Sequence, residues 1–467
     1  MYDKKIVRTL FVLVFTFLYL AMQEVQANEN VDIKITLNGY QSGWCKLVGI
    51  YGDQNYLVDS FPTNLNGLVF IKKDSLYPQG LYYLLLPDYK NISFLLDEVQ
   101  NFEITFDRNS PVHSLNTKQS LSNQLYFQSI KIQEKIDSIQ KVLKTNPINS
   151  VELRNNLQSL FAERSAQVDY CRINYPQNFY TLYKLSGQNP SFPEILKPNG
   201  DLDTFAQLNR YRNEFWANVD FNDVRLLRTP VIANKLRRHI KELTPQQPDS
   251  IIAQADILIQ QSRVNRDMFA FISNWIALQY QPTKTTVMDG EAVYVHVIDT
   301  YFDETSDWYQ PGELEKLKKK TGEMKASLLY KKGPDVVSTD PYGKKRSIYE
   351  ISKPYIVIYM YSPNCEHCKK ETPKLKAFYD EWKNKGVEVY AIVLETNHDE
   401  WNNYIQNNSI GEWINVFDPT NASIYAKYYV DITPEIYVLN PERIIIGKNL
   451  KTEQIQIIID KDLKKRN

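Results

Sequence analysis

Seven consecutive residues in the C-terminal third, Tyr355 to Tyr361 (YIVIYMY), are all apolar or aromatic and rich in β-formers. Such a run has no polar face to show to water. It fits a strand covered on both faces, as in the middle of a parallel sheet with helices on each side. NCEHCKKETP (Asn364 to Pro373) follows almost at once, and Pro373 to Lys385 continues as a helix. Val387 to Leu394 (VEVYAIVL) is a second buried run, Asp399 to Asn407 a short helix and Ala422 to Tyr429 another. ITPEIYVLN, a turn at Pro441, IIIGK and an amphipathic last helix complete the chain, while STDPYGKKR upstream reads as a turn between short strands. The order βαβα(α)ββα describes a parallel unit followed by a hairpin, with helices on both faces.

Only four cysteines occur in 467 residues, and two of them, Cys365 and Cys368, stand three apart where the strand ends and the helix begins. The thiolate is the reactive form of cysteine, and an ordinary thiol with pKa ~8.5 is mostly protonated at neutral pH. Unpaired backbone N–H groups and the positive end of the dipole favour an anion at the first turn of a helix. Cys365 is therefore expected to attack as a thiolate, and Cys368, one turn on, to resolve the mixed disulfide. His367 is expected to tune the thiolate. A zinc site would want further Cys or His at ligand spacing, and only His367 and the distant His398 are at hand. Haem attachment wants CxxCH, but Lys369 follows Cys368. No metal and no cofactor are expected.

The other end of the chain addresses the compartment. Lys4, Lys5 and Arg8 precede an uncharged apolar run, Leu10 to Ala21, and Val25 and Ala27 supply small residues before Asn28. This is the order of a secretory signal peptide over residues 1–27, too short in its apolar part for a typical span of ~20 residues. With no cysteine near Ala27, a lipoprotein is not expected; an exported, periplasmic protein is. Lys+Arg and Asp+Glu are both 55, so nothing points to nucleic acid as a partner.

Between these ends the periodicity changes twice. Residues 28–112 alternate in short runs such as DIKITLNG, NGLVFIKKD and NFEITFD, the pattern of an antiparallel β sandwich or barrel. Residues 113–330 turn helical: Leu121, Leu125, Ile132, Ile136, Ile139 and Leu143 make one stripe, and a second helix follows Asn149 and Ser150. Trp216, Phe269, Phe271 and Trp275 read as core, and His239 and His296 as packed or exposed residues rather than ligands. Residues 331–467 form the α/β domain, so the fold class is multidomain α+β. Cys45 and Cys171 fall in the two upstream regions and are expected to stay apart from the Cys365–Cys368 pair.

CEHCKKETP after an apolar strand, with YYVDITPEIYVLN beyond, resembles the TlpA/ResA-like envelope branch of the thioredoxin superfamily, over roughly Pro334 to Asn467. The resemblance implies a kinking role for Pro373, a cis Thr433–Pro434 bond facing the disulfide and holding substrate backbone, and a proton relay at Glu371. It departs at Tyr359, where thioredoxins keep a buried aspartate, at Asn364 in place of tryptophan, and at Glu366-His367 in place of Gly-Pro. The order of a β domain, a helical segment and a thioredoxin-like domain resembles a set of envelope proteins whose first two domains belong to families of unknown function. Exchange with envelope protein disulfides or thiols, renewed by a membrane or periplasmic electron donor, is the implied activity; homo-oligomerisation is left open. Two rivals remain. A thiol peroxidase would want a threonine three before the cysteine, which YMYSPNC lacks. A non-enzymatic partner-binding protein would use the thioredoxin domain as scaffold.

Overall fold

Where a strand faces a core on one side only, its buried residues recur at every second position, and the strands Val31–Asn38, Leu68–Lys73 and Asn101–Asp107 follow this rule. The computed structural model describes residues 30–145, 150–282, 284–420, 424 and 427–466. The expected leader over residues 1–27, and half of the helix expected at Ala422 to Tyr429, lie outside the described residues. The chain divides into two compact units, one ending at Arg237 and the other beginning at Arg238. That division falls inside the expected helical stretch of 113–330, so its helices are shared between the units.

The first unit contains β1 (Val31–Asn38), β2 (Gly43–Tyr51), β3 (Gln54–Thr63), β4 (Leu68–Lys73), β5 (Gly80–Leu85), β6 (Asn91–Leu96), β7 (Asn101–Asp107) and β8 (Asn116–Lys118). They form two four-stranded sheets, ordered β4-β1-β7-β8 and β3-β2-β5-β6. Ile33 and Ile35 of one sheet and Leu84 and Phe94 of the other lie in one core, which makes a sandwich and not a closed barrel. Two points differ from the sequence expectation. The sandwich is not wholly antiparallel, because β1 and β7 run parallel, with Ile33 opposite Phe102. The sheet also passes residue 112: a single turn at Pro111–Ser114 reverses the chain and lays Thr117 of β8 beside Ile104 of β7.

Helices α1 (Leu121–Thr145) and α2 (Ser150–Asn174) form the expected hairpin, with the Gln167 amide donating to the Leu125 carbonyl at 3.0 Å. The predicted stripe buries Leu125, Ile132 and Ile136. Asn123 fastens α1 to β6 by pairing with both backbone groups of Leu95, at 2.7 and 2.9 Å. Helices α3 (Phe179–Gly187), α4 (Thr204–Glu214) and α5 (Val231–Arg237) complete the unit. Cys45 and Cys171 are buried free thiols in the sandwich core.

The second unit opens with α6 (Pro248–Ser262), α7 (Arg266–Gln279), α8 (Glu291–Tyr301) and α9 (Glu313–Lys325). Here Trp275 is core, while Phe269 and Phe271 are only half-buried. His239 is packed against Gln254 at 2.8 Å, and His296 pairs with Asp256 at 2.7 Å. Strands β9 (Val337–Thr339), β10 (Lys345–Ser347), β11 (Tyr355–Tyr361), β12 (Val387–Val393), β13 (Ile414–Phe417), β14 (Glu435–Leu439) and β15 (Ile445–Gly447) make one sheet in the order β10-β9-β13-β12-β11-β14-β15. β11, β12 and β13 are parallel, and β14 and β15 are antiparallel additions. Helices α10 (Glu366–Trp382), α11 (His398–Asn407) and α12 (Thr452–Arg466) accompany them. Every residue of β11 is buried: Tyr355, Val357, Tyr359 and Tyr361 enter the core that also holds α10, and Ile356, Ile358 and Met360 enter the core on the opposite face.

A cluster of buried charges ties the start of α8 to this sheet. Lys448, only 1% exposed, lies 3.2 Å from Asp289 and 3.6 Å from Glu291. Asn449 joins Glu291 through its side chain at 2.7 Å and Glu435 through its backbone N–H at 2.9 Å. Burial pushes the Glu435 carboxyl from 4.5 up to about 8, against the opposing pull of Lys448. The folded protein thus holds this proton more tightly than the unfolded chain, so stability falls as pH rises from 4.5 to about 8. Glu435→Gln keeps the acceptor for Asn449 and removes the titration. The variant is expected to gain on the wild type across that window by up to ~1.4 kcal/mol per pH unit, read from urea unfolding. A difference that stays constant with pH contradicts the assignment.

Candidate active site

The site begins where the buried strand runs out. After Tyr361 the chain turns, with the Cys365 N–H donating to the Ser362 carbonyl at 3.1 Å, and Cys365 becomes the N-cap of α10. An N-cap side chain commonly offers an oxygen to the third backbone N–H of the helix. Here the thiol sulfur takes that place and accepts the Cys368 N–H at 3.3 Å. The same sulfur donates to the Thr433 carbonyl at 3.2 Å. The Thr433–Pro434 peptide bond is cis and leads directly into β14, the strand beside β11. Strand, helix N-terminus and Pro434 loop therefore meet at one sulfur.

The two thiols differ sharply. Cys365 is partly exposed and Cys368 fully buried. Burial alone would raise Cys365, but the hydrogen bonds of Cys368 and Thr433 and the backbone N–H groups of Cys368 and His367 outweigh it and hold the thiol below its ordinary value. Burial pushes Cys368 up to about 12, and its hydrogen bond with Cys365 adds to the rise. One cysteine is thus poised as an accessible nucleophile and the other as a protonated reserve behind it.

Of the remaining expected residues, Thr433 and Pro434 are half-buried next to Cys365. His367 is exposed, and what it presents to the sulfur is its backbone N–H. Glu371 is turned towards the last helix: it accepts the Thr452 N–H at 2.8 Å and pairs with Lys374 at 3.2 Å. Burial would raise its carboxyl, but these two partners hold it below the usual carboxylate value. Pro373 lies inside α10 and is exposed. Among the described residues no group of His, Cys, Asp and Glu is placed to hold a metal ion.

Two residues that the sequence did not single out stand with Tyr359. Its hydroxyl is 2.7 Å from Thr372 Oγ1, which is 2.7 Å from the Tyr404 hydroxyl. Thr372 could have been found by spacing, since it is one turn beyond Cys368 on the same helix face. Tyr404 lies three residues after the fully buried Trp401 on α11, and that pairing marks the inner face of a short helix.

A strand-ended, helix-capping dithiol beside a cis-proline loop defines the class of a thioredoxin-fold redox domain. Comparison with known proteins agrees: residues 353–445 match the thioredoxin-like family model, and residues 182–327 match a domain of unknown function, DUF5106. The chain thus carries a thioredoxin-like domain at its C-terminal end. Thiol-disulfide oxidoreductase ResA of Bacillus subtilis is 27% identical over 109 residues, 23% of this chain and 60% of ResA. The protein of that name from Bacillus thuringiensis is 26% identical over 27% of this chain and 73% of its own length. A solved domain from Cytophaga hutchinsonii is 33% identical over 30% of this chain and 95% of that domain, with a TM-score of 0.28. A thioredoxin-like protein from Bacteroides caccae is 19% identical over 58% of this chain and 98% of that one, with a TM-score of 0.49.

The unequal thiols predict unequal labelling. Brief iodoacetamide treatment at mildly acidic pH is expected to modify Cys365 first, with Cys368, Cys45 and Cys171 left largely intact, as read by peptide mass spectrometry. Preferential labelling of Cys368 contradicts the geometry.

Proposed function

We propose that this protein is an exported thiol–disulfide oxidoreductase that exchanges disulfides with envelope proteins through Cys365 and Cys368. The observation that carries this reading is the sulfur of Cys365, capped by the Cys368 N–H and lying 3.2 Å from Thr433, with a fully buried thiol one turn behind it. The Cys365 thiolate attacks a substrate disulfide, a mixed disulfide forms, and one substrate sulfur leaves as a thiolate. Cys368 then attacks Cys365, closing the intramolecular disulfide and releasing the second substrate sulfur. The protein dithiol is oxidised by two electrons and the substrate disulfide reduced; the reverse sequence oxidises a substrate dithiol.

Within this reading the backbone around Thr433 and Pro434 holds the substrate strand next to the reacting sulfur. His367 tunes the thiolate through the backbone N–H that it presents to the sulfur. The relay role that the resemblance gives Glu371 requires its carboxylate to let go of Thr452 and Lys374. Export rests on the leader-like order of residues 1–27. No helix among the described residues is long and apolar enough to cross a membrane. The pair is renewed by a membrane or periplasmic thiol donor, and the β-rich and helical parts serve partner choice or self-association.

Replacing Cys368 by Ser removes the only thiol placed to release the mixed disulfide, and replacing Cys365 by Ser prevents its formation. A pull-down from envelope extract, eluted with reductant, is expected to recover proteins from Cys368→Ser alone. Equal recovery from both variants contradicts the exchange function and leaves a binding scaffold in its place.

A further inference from the structure

Resolution of a mixed disulfide asks for a thiolate at Cys368, yet this sulfur is fully buried. A buried anion without hydrogen-bond donors is costly. The titratable side chains that feel Cys368 are Cys365 at the helix cap, Tyr359 and Tyr361 from β11, and Tyr404 from α11. From the other elements packed on α10, Glu453 of α12 faces Lys374 and Glu388 of β12 takes the Tyr379 hydroxyl. Glu371 faces Thr452, and Glu435 of β14 takes the Asn449 N–H. The carboxylates around this helix are thus committed elsewhere; the Ser362 backbone and Thr433 already favour a Cys368 thiolate, and the further groups placed to meet it are hydroxyls.

Tyr359, Thr372 and Tyr404 form a continuous buried chain with two 2.7 Å links. Two links use two of its three hydroxyl protons, so one O–H remains free whichever way the chain is polarised. Thr372, the middle member, shares the helix face of Cys368. Burial holds the Tyr404 phenol up to about 12 and Tyr359 higher still, so both stay neutral donors through the physiological range. Stacking of Tyr359 on Tyr361 at 5.2 Å, and a tilted contact of Tyr361 with Tyr404 at 5.0 Å, hold the rings in place.

We propose that the Tyr359–Thr372–Tyr404 hydroxyl chain stabilises the Cys368 thiolate in the resolving step, its three members acting as positioning residues for that half of the exchange. The inference rests on the exchange function proposed above. In the step, Cys368 loses its proton and its thiolate bonds to Cys365. The bond from Cys365 to the substrate sulfur breaks, and that sulfur leaves with the electron pair and takes up a proton. The chain turns its spare O–H towards the transient anion and no atom is transferred to it.

The test uses the reduced full-length protein and an aromatic disulfide reagent whose thiolate product is coloured. A first phase reports attack by Cys365, and a second reports its displacement by Cys368. Thr372→Val and Tyr404→Phe are expected to slow the second phase roughly tenfold and to move its pH midpoint up by about one unit. The first phase and its pH profile are expected to stay unchanged, which also shows that the site is folded. Thr372→Ser restores a hydroxyl and is expected to restore the second phase. A second phase with wild-type rate and pH midpoint in both variants overturns the proposal while leaving the exchange function standing. A wild type with no second phase overturns the exchange function and the proposal with it.

Discussion

The burial of β11 on both faces is the constraint from which the site follows. Seven buried side chains, none of them charged, are shared between two cores, four on the α10 side and three on the other. Each large apolar side chain so buried contributes about 1.5–3 kcal/mol of transfer free energy, which gives this strand little freedom to slip. Its end is therefore a fixed point. The first residue free to leave the sheet enters a tight turn, and the next helix starts at Cys365 with its unpaired N–H groups around the sulfur.

From that fixed point the chemistry divides between two thiols of different surroundings. Cys365 gains from the helix end and from the Thr433 loop, while Cys368 loses its solvent altogether. The loop in turn is held by β14, whose first residue, Glu435, belongs to the buried cluster with Lys448, Asp289 and Glu291. Removal of one member of such a cluster leaves the others uncompensated. The helical segment from Arg238 onward is thus joined to the strand that carries the Thr433–Pro434 loop. It is not merely a linker ahead of the redox domain.

Features that depend on composition along a single element were legible in the sequence. The apolar runs of β11 and β12, the stripe of α1 and the helix opening at Cys365 all have short-range signatures. What stayed hidden depends on distant partners. β13 is only four residues long and includes Asn415, so it reads as a loop until β12 is laid beside it. The parallel pairing of β1 with β7 is set by the path of the chain between sheets, which period-two alternation does not encode. The resemblance implies a relay at Glu371, but its partner Thr452 lies far along the chain at the start of α12. Tyr359 was visible as a departure from an acidic position, and its meaning became clear only when Thr372 and Tyr404 were placed beside it.

The central claim is that Cys365 and Cys368 interconvert reversibly between dithiol and disulfide while the other two cysteines do not. Equilibration of the whole protein in a graded series of glutathione or dithiothreitol redox buffers, followed by acid quench, alkylation and peptide mass spectrometry, measures this directly. The account predicts that both residues change state together in one two-electron transition, with a tenfold change in the equilibrium ratio for each ~30 mV, and that Cys45 and Cys171 stay free thiols throughout. Failure of Cys365 and Cys368 to form a bond even in the most oxidising buffer, or pairing of either with Cys45 or Cys171, would contradict it.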